Sequence, residues 1–243
     1  MTGGAPGPDG SPVDLTVVLP AYNEPGIERV VREVVALVDA LVPGRGEVVV
    51  VDDASTDDTP VTLARLAVEL PTLTVLRQPV NQGHGPALIR GFGAARGAWI
   101  GHLDTDDQIP TAELARLWDA REGADLVLGS RVQRHDPRHR LVLTAFTRAL
   151  MGRLAGTSVH DANVPCKLFT RELWDEVAPL VPADTFAPSL ALVVVAFRRG
   201  RAVRVLEVRH QARLEGETTL RPARLARAVG RSTLQTVAVA RRC

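Results

Sequence analysis

The chain contains little cysteine and few aromatic residues, and it has no long apolar run. Its two cysteines, Cys166 and Cys243, lie far apart and match no metal-ligand spacing, which excludes a disulfide framework and favours a reducing compartment. The longest apolar stretch ends at Arg198, short of the roughly 20 residues that a membrane-spanning helix needs. Aromatic residues make up 4% of the chain, and no helix-turn-helix or RNA-binding pattern accompanies its arginines. These absences argue against a disulfide-rich secreted protein, a membrane-spanning protein and a nucleic-acid-binding protein, and they favour a cytoplasmic location.

Charge is unevenly distributed along the 243 residues, although the net charge is only +1. Residues 1–120 hold 8 arginines against 17 acidic residues, whereas residues 121–243 hold 21 basic residues against 11 acidic ones. Lys167 is the only lysine. The acidic half therefore suits a bound cation, and the basic half suits an anionic ligand or an anionic surface.

Apolar patterns typical of strands and helices alternate along most of the chain. They predict strands at 15–19, 47–51, 73–77, 98–103, 125–128 and 202–208, and helices at 27–42, 61–70, 87–95, 111–120, 141–155, 171–177, 188–198 and 222–240. Such alternation is typical of βαβ units, so we expect an α/β fold with a mostly parallel, Rossmann-like central sheet and helices on both faces. We expect a disordered Gly/Pro-rich leader at 1–14, a single domain at 15–220 and a basic amphipathic helix at 221–243.

Polar loops follow each of the first four predicted strands. In a parallel sheet the carboxyl ends of the strands meet at one edge, and ligands bind in the crevice beyond that edge. The sequence therefore predicts that four loops face one crevice: Tyr22–Glu24, Asp52 with Asp53, Asn81–Gly83, and Asp104–Gln108.

Three carboxylates end the fourth strand. Residues i and i+2 of an extended segment point the same way, so Asp104 and Asp106 are able to converge on one ion, with Gln108 as a further oxygen ligand. Oxygen ligands suit Mg²⁺ or Mn²⁺. An exposed acidic turn is the alternative for an isolated Asp-x-Asp, and the convergence of the loops favours the metal site.

Six ordered motifs together resemble family 2 glycosyltransferases of the GT-A fold, in particular the branch of dolichol- and polyprenyl-phosphate sugar synthases. The resemblance spans nearly the whole domain. It is carried by Val18–Glu24, Val51–Asp57, Asn81–Gly85, Asp104–Gln108, Gly129–Arg131 and Asp161–Lys167, with His210 and Arg213.

The resemblance implies an inverting, metal-dependent enzyme that moves a sugar from a GDP- or UDP-sugar donor, with no enzyme nucleophile. Asp52 or Asp53 is expected near the uracil or guanine, and His84 stands where relatives often have a small residue or lysine. An aromatic ring stacks on a base, and carboxylates accept hydrogen bonds from ring N–H and ribose hydroxyls. The remaining donor-binding residues implied are Pro20, Tyr22, Asn23, Glu24, Asn81, Gly83 and Asp104.

The sequence specifies the acceptor less closely than the donor. A polyprenyl phosphate is already anionic and needs no general base, whereas a soluble hydroxyl acceptor needs one, for which Asp161 is the candidate. Many relatives carry Ser-Gly-Phe where this chain has Val164-Pro165-Cys166. By resemblance, phosphates or acceptor are contacted by Arg131, Arg140, Thr144, Lys167, His210 and Arg213; Arg131 and Asp161 join Asp104 and Asp106 in the catalytic set.

Two further interpretations remain open at this point. The fold is compatible with a non-catalytic nucleotide-sugar-binding protein, although Asp104 and Asp106 argue against it. The C-terminal helix carries Arg221, Arg224, Arg227 and Arg231, so it is able to lie on an anionic membrane face or to pack as an ordinary amphipathic helix.

Overall fold

The computed structural model describes residues 12–131, 152, 162–211 and 222–243. The described strands are β1 (Leu15–Ala21), β2 (Gly46–Asp52), β3 (Leu73–Arg77), β4 (Trp99–Leu103), β5 (Leu126–Arg131), β6 (Cys166–Thr170) and β7 (Val203–Val208). The described helices are α1 (Ile27–Leu41), α2 (Thr59–Glu69), α3 (His84–Ala94), α4 (Ala112–Asp119), α5 (Arg171–Val177), α6 (Pro188–Arg198) and α7 (Pro222–Ala240). The helix predicted for residues 141–155 lies outside the described residues apart from Gly152.

The seven strands form one sheet in the order β3-β2-β1-β4-β6-β5-β7. All neighbouring pairs are parallel except those of β6, which runs antiparallel to both β4 and β5. The predicted α/β class and mostly parallel sheet are therefore confirmed. The sequence analysis missed β6, because its five residues are all buried or nearly so and show no alternation.

The strand β1 continues through Pro20, where the prediction ended it at Leu19. Pro20 pairs with Val51 of β2, but on the other side the pairing of β1 with β4 stops at Val18. The missing N–H of the proline therefore interrupts no ladder on that side, which is where strands tolerate proline.

Helices cover both faces of the sheet. On one face Leu114 of α4 lies beside Val17, and α4 and α2 both contact α1. On the other face Gly91 of α3 lies against Val18, and α6 contacts α3, α5 and α7. None of the described helices combines the length and apolar character needed to cross a membrane.

One edge of the sheet collects the polar loops. The carboxyl ends of the six mutually parallel strands meet there, and β6 brings its amino end to the same edge because it runs the other way: Cys166 pairs with Leu103, the last residue of β4. Within the described residues, the segments that follow five of the parallel strands and the segment that precedes β6 therefore lie at one edge, as expected for an α/β sheet.

The two cysteines differ in reactivity. Cys166 is fully buried in β6, and burial raises the pKa of its thiol to about 12, whereas Cys243 is exposed. At pH 8 we expect a thiol-specific dye to label one cysteine in the native protein and two after denaturation, because the thiolate is the reactive form. The Cys243→Ser variant is the control and should give no native labelling. Rapid labelling of two thiols would contradict a buried β6.

Candidate active site

The loops after β1 and β2 hold each other in place. The backbone N–H of Asn23 donates to Ser55 Oγ at 3.0 Å, and its side-chain Oδ1 accepts from the N–H of Thr56 at 2.8 Å. The N–H of Glu24 donates to Thr59 Oγ1 at 3.0 Å. Asn23, predicted to lie beside the donor, therefore has its amide oxygen bonded within the protein, and both loops are fixed relative to each other.

Two adjacent carboxylates at the end of β2 have different surroundings. Asp53 is buried, and its two oxygens accept hydrogen bonds from Gln78 Nε2, from the N–H of Gln82 and from the N–H of Gly83, at 2.7–2.8 Å. Its bonding capacity is thus used to hold the loop that precedes α3. The donor contact expected of Asp52 or Asp53 stays a prediction.

Asp52 keeps one oxygen available. Its Oδ1 accepts the N–H of Ser55 at 2.9 Å, but its Oδ2 is buried and has no hydrogen-bond partner. This oxygen forms an ion pair with Arg77, whose Nε lies 3.5 Å away. A buried carboxylate oxygen without a hydrogen-bond partner is costly, so this atom is ready to accept a hydrogen bond from a ligand.

Other residues predicted at the donor site differ in exposure. The ring of Tyr22 is 40% exposed and Asn81 is exposed, so both are accessible at the crevice. Pro20 is instead buried within β1, where its carbonyl accepts from Thr105 Oγ1 at 3.1 Å. Pro20 therefore helps to attach the acidic loop after β4 to the end of β1.

The amino end of α3 requires two glycines for separate reasons. Gly83 has φ of 94°, in the left-handed region that favours glycine. A Cβ on Gly85 would lie 2.0 Å from the carbonyl oxygen of Thr185, so α3 approaches that backbone closely. Between them, His84 is the first residue of the helix, although the prediction began the helix at Ala87. The prediction placed Pro86 before the helix and so began the helix too late, whereas proline is tolerated in the first turn of a helix.

Two histidines converge on Asp104. Its Oδ1 lies 2.9 Å from Nε2 of His84 and 3.1 Å from Nε2 of His102. The ligand-bearing atoms of these three side chains lie within 4.8 Å of one another. The sequence analysis named Asp104 and missed His102, whose signal was its position two residues earlier on the same face of the strand.

The charges in this cluster shift the three pKa values in different directions. Burial by itself would raise the pKa of Asp104, but the positive potential of His84 and hydrogen bonds from both histidines outweigh it and hold that pKa well below its usual value. Burial lowers the pKa of His102 to about 4, so this ring is neutral at pH 7. Burial would also lower the pKa of His84, but the adjacent Asp104 outweighs it and raises that pKa. The carboxylate therefore stays ionised between one neutral and one readily protonated imidazole.

His102 lies in an apolar pocket on the α3 face of the sheet. Its ring centroid is 5.8 Å from that of Phe92, which also contacts Phe169 and Trp174 edge-on. Its Nδ1 is buried without a hydrogen-bond partner. Because the neutral ring has one proton, placing it on Nε2 lets His102 donate to Asp104 and leaves only a lone pair unpaired.

The rest of the acidic loop folds around its own backbone. Asp106 Oδ1 accepts the N–H of Gln108 at 3.2 Å, and the carbonyl of Gln108 accepts the N–H of Gln211 at 2.8 Å. Asp107 instead pairs with Arg29, away from Asp104. The predicted metal ligands Asp104, Asp106 and Gln108 thus share one loop, which also contacts the chain after β7 near His210. Carboxylate, amide and imidazole groups are a donor set that suits a divalent ion.

Cationic residues predicted on the acceptor side stand at the same edge. Lys167 is fully buried opposite His102 in the β4–β6 pair, and its ammonium donates to the carbonyl of Val164. Its charge adds to the effect of burial that lowers the pKa of His102 and partly opposes the rise in the pKa of His84. Arg131 ends β5, and His210 follows β7 by two residues. Four predicted residues lie outside the described residues: Arg140, Thr144, Asp161 and Arg213.

Known proteins resemble the chain in sequence. It is 31% identical over 223 residues to an undecaprenyl-phosphate 4-deoxy-4-formamido-L-arabinose transferase of Pseudomonas aeruginosa (strain LESB58), which covers 88% of this chain and 62% of that protein. It is 32% identical over 196 residues to glycosyltransferase AglD of Haloferax volcanii, which covers 77% of this chain and 31% of that protein. The chain therefore spans less than two thirds of the length of these curated relatives.

Solved structures resemble the chain in fold. Glucosyl-3-phosphoglycerate synthase from Mycobacterium tuberculosis, in complex with UDP, matches with a TM-score of 0.69 and 21% identity over 94% of this chain and 80% of that one. This likeness establishes the GT-A fold. The family model described as Glycosyl transferase family 2 matches residues 16–177, which include the four strand-end loops and the Asp104 cluster. With that match over most of its length, the chain belongs to glycosyl transferase family 2.

Proposed function

We propose that the protein transfers a sugar, with inversion, from a nucleotide-sugar donor to a polyprenyl phosphate and uses a divalent metal ion. The observation that carries the proposal is the ionised Asp104, held by two histidines at the sheet edge, beside the Asp106–Gln108 loop. A fixed carboxylate at this place suits a site where diphosphate charge is neutralised. The family and the named activity of the undecaprenyl-phosphate relative support the same assignment.

The nucleobase is the part of the donor that the described residues specify best. Asp52 Oδ2 provides one hydrogen-bond acceptor, and the nearby Arg77 provides donors. Uracil and thymine present one ring N–H between two carbonyl oxygens, which complements this pair. Guanine presents two adjacent donors and would need both carboxylate oxygens, of which Oδ1 already accepts the N–H of Ser55, whereas the single ring N–H of uracil or thymine needs Oδ2 alone. We therefore propose a UDP- or dTDP-sugar, with Tyr22 exposed at the crevice for stacking on the base.

The remaining binding roles follow the donor from base to phosphates. Glu24 and Asn81 lie beside the crevice, and Gly83 leaves open space on its Cβ side, which allows close approach of the donor to the backbone. Mg²⁺ or Mn²⁺, when bound by Asp104, Asp106 and Gln108, would supply positive charge for the nucleoside diphosphate that leaves. Lys167 adds a buried positive charge that acts through space.

The acceptor oxygen attacks the anomeric carbon in line as the bond from that carbon to the diphosphate breaks. A phosphate oxygen is already anionic, so this acceptor requires no general base, and Arg131, His210 and Arg213 are proposed to hold it with Arg140 and Thr144. The basic helix α7 is proposed to contact the cytoplasmic face of the membrane where such lipids reside. A soluble hydroxyl acceptor would instead need Asp161 as base.

The test is a donor panel of UDP-, dTDP- and GDP-sugars with Mg²⁺ or Mn²⁺, assayed against undecaprenyl phosphate, a soluble sugar alcohol and water alone. We expect transfer to the lipid phosphate from a uridine or thymidine donor, and loss of transfer with a chelator. Transfer to the soluble alcohol alone would replace the acceptor. Turnover that is independent of metal with every donor would refute the mechanism.

A further inference from the structure

We propose that His84 Nε2 is a ligand of the divalent ion together with Asp104, which gives this donor site a nitrogen ligand and a preference for Mn²⁺ or Co²⁺ over Mg²⁺. The proposal deepens the proposed function, since it rests on a metal-dependent donor site. Metal ligands predicted from the sequence were all oxygen atoms, from Asp104, Asp106 and Gln108. Position 84 is therefore where this chain sets its own metal preference.

The distance between the two ligand atoms supports the pairing. His84 Nε2 and Asp104 Oδ1 are 2.9 Å apart. Neighbouring ligands in an octahedral shell with bonds of about 2.1 Å are separated by about 3 Å, so one ion is able to contact both atoms with little movement. Because the carboxylate of Asp104 lies at hydrogen-bond distance from His84 Nε2, a cation that binds to the carboxylate is within reach of the imidazole.

His84 is also accessible from the crevice. Its side chain is 49% exposed, at the first residue of α3, and the space beside Gly83 is open. A donor diphosphate and its ion enter from this side. The imidazole therefore meets the ion at the surface of the crevice, without any rearrangement of the core.

His102 is less suited to metal ligation, although its Nε2 is almost as close to Asp104. A metal on Nε2 would force the single proton of the neutral ring onto Nδ1, which is buried without a partner. An unpaired buried donor is destabilising, and metal-bound histidines normally donate their second N–H to an acceptor. His102 is therefore the positioning residue that donates to Asp104, and His84 is the ligand.

A nitrogen ligand at position 84 affects which metal ions bind tightly. Mg²⁺ prefers oxygen ligands and retains water, whereas imidazole suits the transition metals. Losing a nitrogen ligand should therefore weaken Mn²⁺ binding while hardly changing Mg²⁺ binding. A lysine at this position would give positive charge to the phosphates but no ligand to the ion.

The test is pulsed electron paramagnetic resonance on the 243-residue chain with Mn²⁺, alone and with UDP. We expect a ¹⁴N modulation from a bound imidazole in the wild type, its loss in His84→Gln and His84→Lys, and its retention in the matched control His210→Gln. By titration, His84→Gln should weaken Mn²⁺ binding about tenfold and Mg²⁺ binding less than twofold.

Persistence of the nitrogen modulation in both His84 variants, or its absence from wild type that has bound Mn²⁺, would overturn the proposal. Loss of the modulation in His210→Gln together with its retention in His84→Gln would assign the ligand to His210 and overturn it too. These outcomes leave the proposed function intact if the donor panel still shows metal-dependent transfer. A protein that binds no Mn²⁺ with UDP and transfers no sugar would instead refute the function itself.

Discussion

Replacing Asp106 by asparagine should slow sugar transfer about 1,000-fold while the protein stays folded and still binds UDP. The substitution removes one negative charge from the loop that is proposed to hold the ion, and loss of one group that stabilises developing charge commonly costs 10²- to 10³-fold. The fold should survive because an asparagine oxygen is still able to accept the N–H of Gln108, as Asp106 does at 3.2 Å. Transfer rates, melting temperature and UDP calorimetry measure the three quantities.

The neighbouring acid provides a matched control. Asp107 has φ of 58°, a left-handed conformation that asparagine tolerates well, and its carboxylate pairs with Arg29. Asp107→Asn should therefore remove the same charge from the same loop and change transfer less than about threefold, since exposed ion pairs contribute little. If wild type and Asp106→Asn bind UDP equally and neither transfers sugar, the nucleotide-sugar-binding protein becomes the better interpretation.

The fold was predictable because its signals are local and repeated. Buried valine-rich strands and amphipathic helices alternate over the first four units, and parallel strands then place their loops at one edge. The strand β6 was missed because its position depends on tertiary contacts. Lys167 is its second residue, buried between β4 and β5, where neither propensity nor alternation predicts a lysine.

The sequence predicted where the candidate site lies but not which contacts each of its residues makes. The i, i+2 spacing identified Asp104 with Asp106, and the same rule applied backwards from Asp104 would have found His102. The roles of Asp52 and Asp53 were not separable, because they depend on which N–H groups face each carboxylate. Ala54 has a left-handed φ of 60° directly after them, a conformation that the sequence gives no reason to expect from alanine.

Asp52 and Asp53 should respond to mutation in opposite ways. Asp53→Ala leaves the amide of Gln78 and the N–H groups of Gln82 and Gly83 without their acceptor, so we expect the free energy of unfolding to fall by about 3 kcal/mol. Asp53→Asn keeps one oxygen acceptor and should lose less stability. Chemical denaturation of the three proteins measures this order.

Asp52→Asn should leave stability nearly unchanged and weaken UDP binding about 100-fold. The asparagine oxygen is able to keep the hydrogen bond from Ser55, while its NH₂ replaces Oδ2, which has no hydrogen-bond partner, and faces the ring N–H of uracil, so two donors oppose each other. Cytosine has a ring acceptor at that place, so the ratio of CDP to UDP affinity should rise in this variant. Calorimetry with UDP, CDP and GDP measures the change.

The two carboxylates act as controls for each other, because they are adjacent in sequence and both are buried. If Asp53→Ala retains its stability but loses UDP, and Asp52→Asn binds UDP as wild type does, then Asp53 is the base acceptor and the proposed division is reversed. If Asp52→Asn weakens GDP more than UDP, guanine is the natural base. The expected result is weaker UDP binding together with a higher ratio of CDP to UDP affinity. This result would require a single ring N–H of the base to bind Asp52 Oδ2.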